Sequence, residues 1–306
     1  MTVRTVATLV SDAPVVLAPD HARSQLQQTL PDQTAASPNG QVAGETSGIQ
    51  ITQGLGIVPV RGVLTPNNDR LARWFGWSTY HGIAQAVQDL AAAPSVTAIV
   101  LELDTPGGMA LGASGAAEAI AAAGRVKPVH AFVDPLAASG GYWLASQARD
   151  ITMAPGSLVG SIGVMQMASA PVGPSLFGDR LYVLTSSHAR AKAPDPSTDR
   201  GQTELQRALD EVEAEFAAAV QRGRGMTREQ FLAANAVSQD VTDGGATFSP
   251  AVAQTRGFAD ATATREVFYD RMMESYPPKS AQRPQIRSAR GRQAKAQAAR
   301  AIAATG

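Results

Sequence analysis

The sequence predicts a layered α/β fold built on a mostly parallel sheet. Alanine and glycine are abundant, whereas aromatic residues make up only 5% of the 306 residues, and small side chains let helices lie close against a sheet. Short apolar runs alternate along the chain with segments of helical character, which is the pattern of consecutive βαβ units. The length suits one large domain or two modest ones.

Strands are predicted where apolar residues form short continuous runs, because such a run is typical of a buried strand. The run TAIVLEL at 97–103 is an example. The first strand, GIVPVRGVL, opens the packed part of the chain. In chain order the predicted strands are 56–64, 97–103, 128–133, 150–154 and 181–186.

Helices are predicted between these strands from apolar residues at helical spacing and from residues that favour helix ends. Ser114 is a candidate N-cap of an alanine-rich helix and Gly124 its stop. The segment 204–222 carries one apolar stripe at helical period. The predicted helices are 78–92, 114–123, 139–147 and 204–222.

The C-terminal part is predicted to be helical from its caps. Thr227 with Gln230 fits a capping box. Ser249 followed by Pro250 predicts an N-cap and the first residue of a helix. Gly257 is the predicted end of that helix.

Missing residue types exclude several kinds of site. The chain has no cysteine, which excludes disulfides, a cysteine nucleophile and thiolate metal sites. Its four histidines lack zinc-ligand spacing such as HExxH, so we expect no metal and no other cofactor. No apolar stretch approaches 18 residues and the N-terminal apolar run is too short for a signal peptide. We therefore expect no association with membranes.

Composition divides the chain into three parts. Residues 1–55 are predicted to be a lead-in and flexible linker, since 24–50 are rich in Gln, Ser, Gly and Pro. Residues 56–275 form the predicted folded domain. Residues 276–306 form a basic tail without an acidic residue, although the whole chain has a net charge of zero. We expect this tail to be disordered, either as a solvated extension or as a docking arm for an acidic partner or nucleic acid.

Three segments rich in glycine and serine are candidate functional sites. Segment 104–108, DTPGG, follows a predicted strand, and glycines there expose backbone N–H groups that can bind a developing oxyanion. Segment 137–143, AASGGYW, places Ser139 where a loop enters a helix. Segment 160–164, GSIGV, follows another strand. Taken singly, each is more often an ordinary turn or helix cap.

Together and in this order, the three segments resemble the S49 peptidases, over a region from about Gly56 to Asp260. The family includes signal peptide peptidase A and the head-maturation proteases of tailed phages. The resemblance implies a ClpP/crotonase-like fold and a serine–lysine dyad. It implies that Ser139 is the nucleophile, that Gly108 and Gly140 are the oxyanion donors, and that Ser161 orients the lysine.

Lys192 is the predicted base among the four lysines of the chain. Lys279 and Lys295 lie in the basic tail, and Lys127 precedes a strand, which puts it at the sheet edge away from the chemistry. A lysine amine becomes a base near neutral pH when apolar surroundings disfavour its charged form. His188, four residues before Lys192, is the alternative base, because histidine is the commonest general base.

The resemblance favours the phage branch of the family. Residues 13–20, APVVLAPD, resemble the lead-in of phage head-maturation proteases, and a basic, alanine-rich C-terminus suits a capsid-assembly protein. We therefore expect a homo-oligomeric serine endopeptidase in the host cytoplasm or within the prohead. Its expected substrates are capsid, scaffold or portal chains, including itself, and we expect contact with nucleic acid only through the tail.

Other functions remain open from the sequence. One is a soluble bacterial protease similar to signal peptide peptidase. Two belong to other classes: a crotonase-like acyl-CoA enzyme, which shares the oxyanion hole but needs no serine nucleophile, and a non-catalytic assembly factor. Covalent capture of Ser139 would exclude the last two.

Overall fold

The strands and helices follow one another in the alternating order that the sequence predicts. The computed structural model describes residues 5–7, 14–30, 49–67, 69–168, 173, 183, 185–187 and 189–278. The strands are β1 Val15–Leu17, β2 Gln50–Thr52, β3 Leu55–Arg61, β4 Ala98–Thr105, β5 Gly107–Met109, β6 Val129–Ala138, β7 Asp150–Met153, β8 Leu158–Gly160, β9 Thr247–Phe248 and β10 Ala261–Thr262.

The helices lie mostly between and after these strands. They are α1 Pro19–Leu26, α2 Asp69–Phe75, α3 Tyr80–Ala92, α4 Ala113–Gly124, α5 Gly140–Ala145, α6 Asp199–Arg224, α7 Arg228–Asn235, α8 Pro250–Thr255 and α9 Arg265–Ser275, with a short 3₁₀ turn at Arg190–Lys192.

The main sheet has the strand order β10-β7-β6-β4-β3-β2. All neighbours in this order are parallel except β2 and β3, which form an antiparallel hairpin. Beyond Val133, β6 leaves β7 and pairs with β8, and β8 pairs with β9. The predicted α/β class, with a mostly parallel sheet and helices in the C-terminal part, is confirmed by this pairing.

The point at which β6 changes its partner from β7 to β8 coincides with a shift in the register between β4 and β6. Leu103 of β4 pairs with Val133, but Asp104 pairs with Leu136, so β6 contains two extra residues at this point. A bulge of this kind bends a strand and redirects the residues that follow. The last residues of β6, which lead to Ser139, therefore lie between the ends of β4 and β8.

Helices cover both faces of the sheet, as a parallel sheet requires. On one face α3, α4 and α5 pack against the buried strands, and Phe216 of α6 stacks on Trp143 of α5 with ring centroids 4.5 Å apart. On the other face, Phe268 of α9 stacks on Phe132 of β6 at 4.7 Å. Among the described residues no helix is long and apolar enough to cross a bilayer.

Most predicted elements are found, with their ends moved by a few residues. The capping box of Thr227 and Gln230 is confirmed, and Gly257 follows α8 with a φ of +77°. The prediction of Ser114 as an N-cap is wrong, because α4 begins at Ala113 and its cap is Gly112, with a φ of +92°. Of the predicted strand 181–186, residues 181, 182 and 184 lie outside the described residues, and 183, 185 and 186 are not in a strand, so the prediction is wrong at those three positions.

The proposed division of the chain remains a prediction at both ends. Residues 31–48, which make up most of the predicted linker, and residues 279–306 of the predicted tail lie outside the described residues. Within the predicted lead-in, β1 pairs with β5 and Val16 is fully buried in the main core. Part of residues 1–55 is thus built into the domain.

We predict that Phe216→Ala lowers the free energy of unfolding by about 3–5 kcal/mol, as expected when a buried aromatic side chain is removed. The physical reason is loss of the stacked contact with Trp143, both rings being buried. Urea unfolding followed by circular dichroism measures the change. Glu215→Ala, at an exposed position of the same helix, is the control and should change it by less than about 0.5 kcal/mol. Equal stability of the two variants would contradict this packing.

Candidate active site

Three chain segments meet at the C-terminal ends of β4, β6 and β8. Thr105 at the end of β4 pairs with Ala137 of β6, and Ala138 pairs with Gly160 at the end of β8. Each strand leads directly into one of the glycine-containing segments singled out in the sequence. The strand register therefore brings the three segments side by side.

Ser139 lies in the turn between β6 and α5 in an uncommon backbone conformation, with φ 52° and ψ −116°. Its N–H donates to Gly160 O at 2.7 Å and its carbonyl accepts from Trp143 N–H at 2.9 Å. A residue with a side chain adopts such a conformation at a cost of about 1–3 kcal/mol. Ser139 is 1% exposed, and within the described part of the chain its Oγ has no hydrogen-bond partner. Since buried hydroxyls are nearly always hydrogen-bonded, this Oγ is suited to act on a ligand.

The residues beside Ser139 must be glycine because neighbouring atoms leave no room for a side chain. A methyl group on Gly140 would lie 2.7 Å from Tyr80 Oη, and one on Gly141 would lie 2.5 Å from Thr105 Cγ2. Gly140 is the first residue of α5, so its N–H has no acceptor within the helix. That N–H can therefore take the oxyanion role expected of it.

The backbone of β5 directs the N–H of Gly108 away from its neighbour Leu64. Leu64 N–H donates to Gly107 O at 2.8 Å, and Met109 N–H donates to Leu64 O at 2.9 Å. Alternate residues of a strand direct their backbone groups to opposite edges. Gly108 N–H therefore faces the edge of β5 that lies opposite Leu64. Thr105 Oγ1 accepts from Gly107 N–H at 3.1 Å and fixes the turn before β5.

Ser161 follows β8 and also has a positive φ, of 53°. Its N–H donates to Ala246 O at 2.7 Å. It lines a cavity of about 520 Å³ together with Asn235, whose Oδ1 is buried and unpartnered among the described residues. Ser161 therefore borders this cavity and directly follows Gly160, whose carbonyl accepts from Ser139 N–H.

Lys192 is not joined to Ser139 within one copy of the chain. It ends the 3₁₀ turn and is exposed, and its N–H donates to Ala189 O at 3.1 Å. Among the described residues nothing donates to Ser139 Oγ, so the dyad is not assembled here. His188, the alternative base, lies outside the described residues. The structure thus groups the other four predicted residues and leaves the lysine on the surface.

Lys127 lies away from the site, as predicted, and so does His130 in β6. Lys127 Nζ donates to Leu90 O at the end of α3 at 2.8 Å. His130 is 2% exposed and its Nδ1 lies 2.8 Å from Asp150 Oδ2. Burial acts to raise the pKa of Asp150, but the hydrogen bond with His130 and the positive charges of His130, Arg271 and Arg149 together outweigh it, so that pKa is lowered. The described residues contain no group of three or more histidines and carboxylates placed to hold a metal ion.

Tyr80 supports the site without having been indicated by the sequence, and Thr105, although it lies in the segment 104–108, was given no role of its own. Tyr80 is 2% exposed, its Oη lies beside Gly140 without a partner among the described residues, and burial raises its pKa. Thr105 contacts both Gly141 and the turn before β5. A single tyrosine at a helix start, or a threonine in a turn, has no distinguishing pattern, because only the fold brings it to the serine.

Comparison with known proteins identifies relatives of the chain. The model of peptidase family S49 matches residues 121–277. The capsid assembly protease C of Escherichia phage lambda is 38% identical over 127 residues, 42% of this chain and 29% of that protein. The head-tail preconnector protein GP5 of Enterobacteria phage P21 is 33% identical over 116 residues, 38% of this chain and 23% of that protein. The matches thus span less than a third of each phage relative.

A solved structure of a ClpP1 variant from Listeria monocytogenes also aligns with the chain. It has a TM-score of 0.40 and 12% sequence identity, over 69% of this chain and 92% of that one. The family model covers just over half of this chain. The chain therefore belongs to peptidase family S49, and the two phage relatives confirm the predicted resemblance to the head-maturation branch. As a member, it has the ClpP/crotonase-like fold that the resemblance implied.

We predict that Ser139→Gly is more stable than Ser139→Ala by about 1 kcal/mol. Both variants remove the unpartnered hydroxyl, but only glycine adopts a φ of 52° without steric cost. Thermal unfolding of the two purified variants measures the difference. A melting temperature of the alanine variant equal to or above that of the glycine variant would show that the turn is unstrained.

Proposed function

We propose that the chain is a serine endopeptidase in which Ser139 Oγ attacks the carbonyl carbon of a peptide bond. The observation that carries the proposal is the Ser139 turn. Ser139 is buried, its Oγ has no hydrogen-bond partner among the described residues, and its backbone is held at a positive φ. The chain also belongs to peptidase family S49. Strained residues concentrate at functional sites because the surrounding structure must compensate for their cost.

Two backbone N–H groups are available to the oxyanion that forms during attack. Gly108 N–H faces the edge of β5 opposite Leu64, along which β1 pairs, and Gly140 N–H begins α5 directly after the serine. Donors fixed by strand and helix need no reorganisation when negative charge develops on the carbonyl oxygen, and such preorganised donors commonly contribute most to catalysis. The close packing around Gly140 and Gly141 keeps the donors rigid.

Lys192 is the base that we propose to take the Ser139 proton, with Ser161 hydrogen-bonded to its amine. Because Lys192 is exposed in one copy and forms no hydrogen bond with Ser139, we propose that it reaches the serine of a neighbouring copy. Burial in that interface would disfavour the charged amine and make it a base. The active form is then a homo-oligomer.

The names of the phage relatives support a role in capsid assembly. They are a capsid assembly protease and a head-tail preconnector protein. We propose that this chain cleaves capsid, scaffold or portal chains, itself included, in the host cytoplasm or the prohead. A soluble bacterial protease, an acyl-CoA enzyme and a non-catalytic assembly factor are the alternatives. Fluorophosphonate labelling of Ser139, located by peptide mass spectrometry, separates the peptidases from the other two.

We predict that Ser139→Ala lowers peptidase activity by at least about 10⁴-fold, because it removes the nucleophile and leaves only binding and the oxyanion donors. Cleavage of a purified capsid or scaffold substrate measures the loss. His188→Ala is the control and should keep most of the activity. Wild-type turnover by the alanine variant would refute the serine mechanism, and a dead histidine variant would reassign the base.

We predict that Lys192→Ala is as inactive as Ser139→Ala, and that co-expression of the two restores activity. In a ring where each site takes its serine and lysine from different copies, random mixing gives about a quarter of the wild-type activity. Arg200→Ala, which removes an exposed cation nearby, is the control and should remain active alone. Mixed oligomers without activity would show that lysine and serine do not come from different copies.

A further inference from the structure

The groove beside Ser139 is filled by a strand of the chain itself. β1 pairs antiparallel with β5, with Val15 opposite Met109 and Val16 opposite Gly108. On its other edge, Val15 N–H donates to Met165 O at 2.9 Å and Met165 N–H donates to Val15 O at 3.0 Å. β1 is therefore held along both edges, as an extended peptide is held when it adds a strand to a binding groove.

The pairing turns the carbonyl of Val16 towards Gly108. Two residues away on either side, Ala110 N–H donates to Pro14 O at 3.0 Å and Ala18 N–H donates to Pro106 O at 2.8 Å. Hydrogen-bonded pairs alternate with non-bonded pairs along an antiparallel ladder, so Val16 and Gly108 are themselves a hydrogen-bonded pair. Val16 O accepts from the N–H that we propose as an oxyanion donor.

The N–H of Gly140, the second proposed oxyanion donor, also lies close to the carbonyl oxygen of Val16. A methyl group on Gly107 would be 2.1 Å from Val16 O and 2.8 Å from Gly140 N, so both atoms border one small space. A methyl group on Gly140 would be 2.9 Å from Val16 Cγ2. Val16 is fully buried and Ser139 is 1% exposed. The carbonyl group of Val16 thus stands where a carbonyl under attack would stand.

We infer that the groove between β5 and Met165 is the peptide-binding site, and that β1 occupies it as an internal peptide in the register of a substrate. Val16 holds the position of the residue whose carbonyl is attacked. This inference rests on the proposed function of Ser139. A substrate must displace β1 before Ser139 can act on it, so the free enzyme is blocked by its own lead-in.

The strand also indicates what kind of peptide the groove accepts. Val15 and Leu17 contact one apolar cluster that includes Met109 and Met165, whereas Val16 belongs to the main core. Successive side chains of an extended peptide point to opposite faces, so each face of the groove is apolar. The ligand class is an extended segment of consecutive aliphatic residues.

A disulfide between β1 and β5 tests the inference. The chain has no cysteine, so Val15→Cys with Met109→Cys introduces one defined pair. Val15 and Met109 form a non-hydrogen-bonded pair, with Cα atoms about 4.5 Å apart in such pairs, which is within disulfide range. We expect the oxidised double variant to lose at least tenfold in peptidase activity and to regain it on reduction. The single variants Val15→Cys and Met109→Cys, treated alike, should be unaffected by oxidation.

The outcomes separate this inference from the proposed function. If the fully oxidised double variant is as active as its reduced form, the inference that β1 occupies the peptide-binding site is overturned. It is also overturned if the double variant folds but does not form the disulfide. A reduced variant and wild-type protein that both lack activity would instead refute the proposed function.

Hydrogen exchange on the wild-type protein is a second measurement that needs no variant. After covalent modification of Ser139 by a peptidyl chloromethyl ketone, confirmed by mass, the amides of Val15 and Val16 should lose their protection. Unchanged protection on the modified enzyme would overturn the inference. Failure of the ketone to modify Ser139 would count against the proposed function.

Discussion

The site depends on the register in which β4, β6 and β8 end. β6 takes in two extra residues after Val133 and passes from β7 to β8. Because of this shift, Ala137 lies opposite Thr105 and Ala138 opposite Gly160. Without the extra residues the serine would follow a strand still paired with β7, away from the turn before β5. One irregularity in the hydrogen-bond ladder thus determines which three loops meet.

Packing around the serine explains why glycine and serine recur in the motifs. Atoms of Val16 in β1, Thr105 in β4 and Tyr80 in α3 lie 2.1–2.7 Å from where side chains on Gly107, Gly140 and Gly141 would begin. The same close approach that excludes side chains leaves backbone N–H groups bare at the reacting position. The steric and chemical requirements therefore fall on the same residues, and this is why short motifs were sufficient to identify the family.

The sequence could predict whatever depends on neighbours along the chain, and little of what depends on distant ones. The alternation of strands and helices, the Thr227 capping box and the glycine turns are local, and the structure contains them. β1 and β5 have three residues each, too few to show periodicity, and they are stable only because each pairs with another part of the chain. Tyr80 is joined to the site by tertiary packing alone, so nothing near it in the sequence could have indicated its place. Ser114 was a reasonable cap by type, but Gly112 adopts the left-handed conformation that the turn needs.

The long helix α6 has a mechanical consequence. Of its 26 residues, only Gly201, Phe216, Ala219 and Val220 are buried, so its outer half extends from an anchor near Trp143. At a rise of about 1.5 Å per residue, the start of the helix lies roughly 25 Å from that anchor. A tilt of roughly 5° at Phe216 would then move the start by roughly 2 Å, about the difference between a hydrogen bond and none. A tilt of α6 of this size would therefore displace the segment that carries Lys192, which directly precedes the helix.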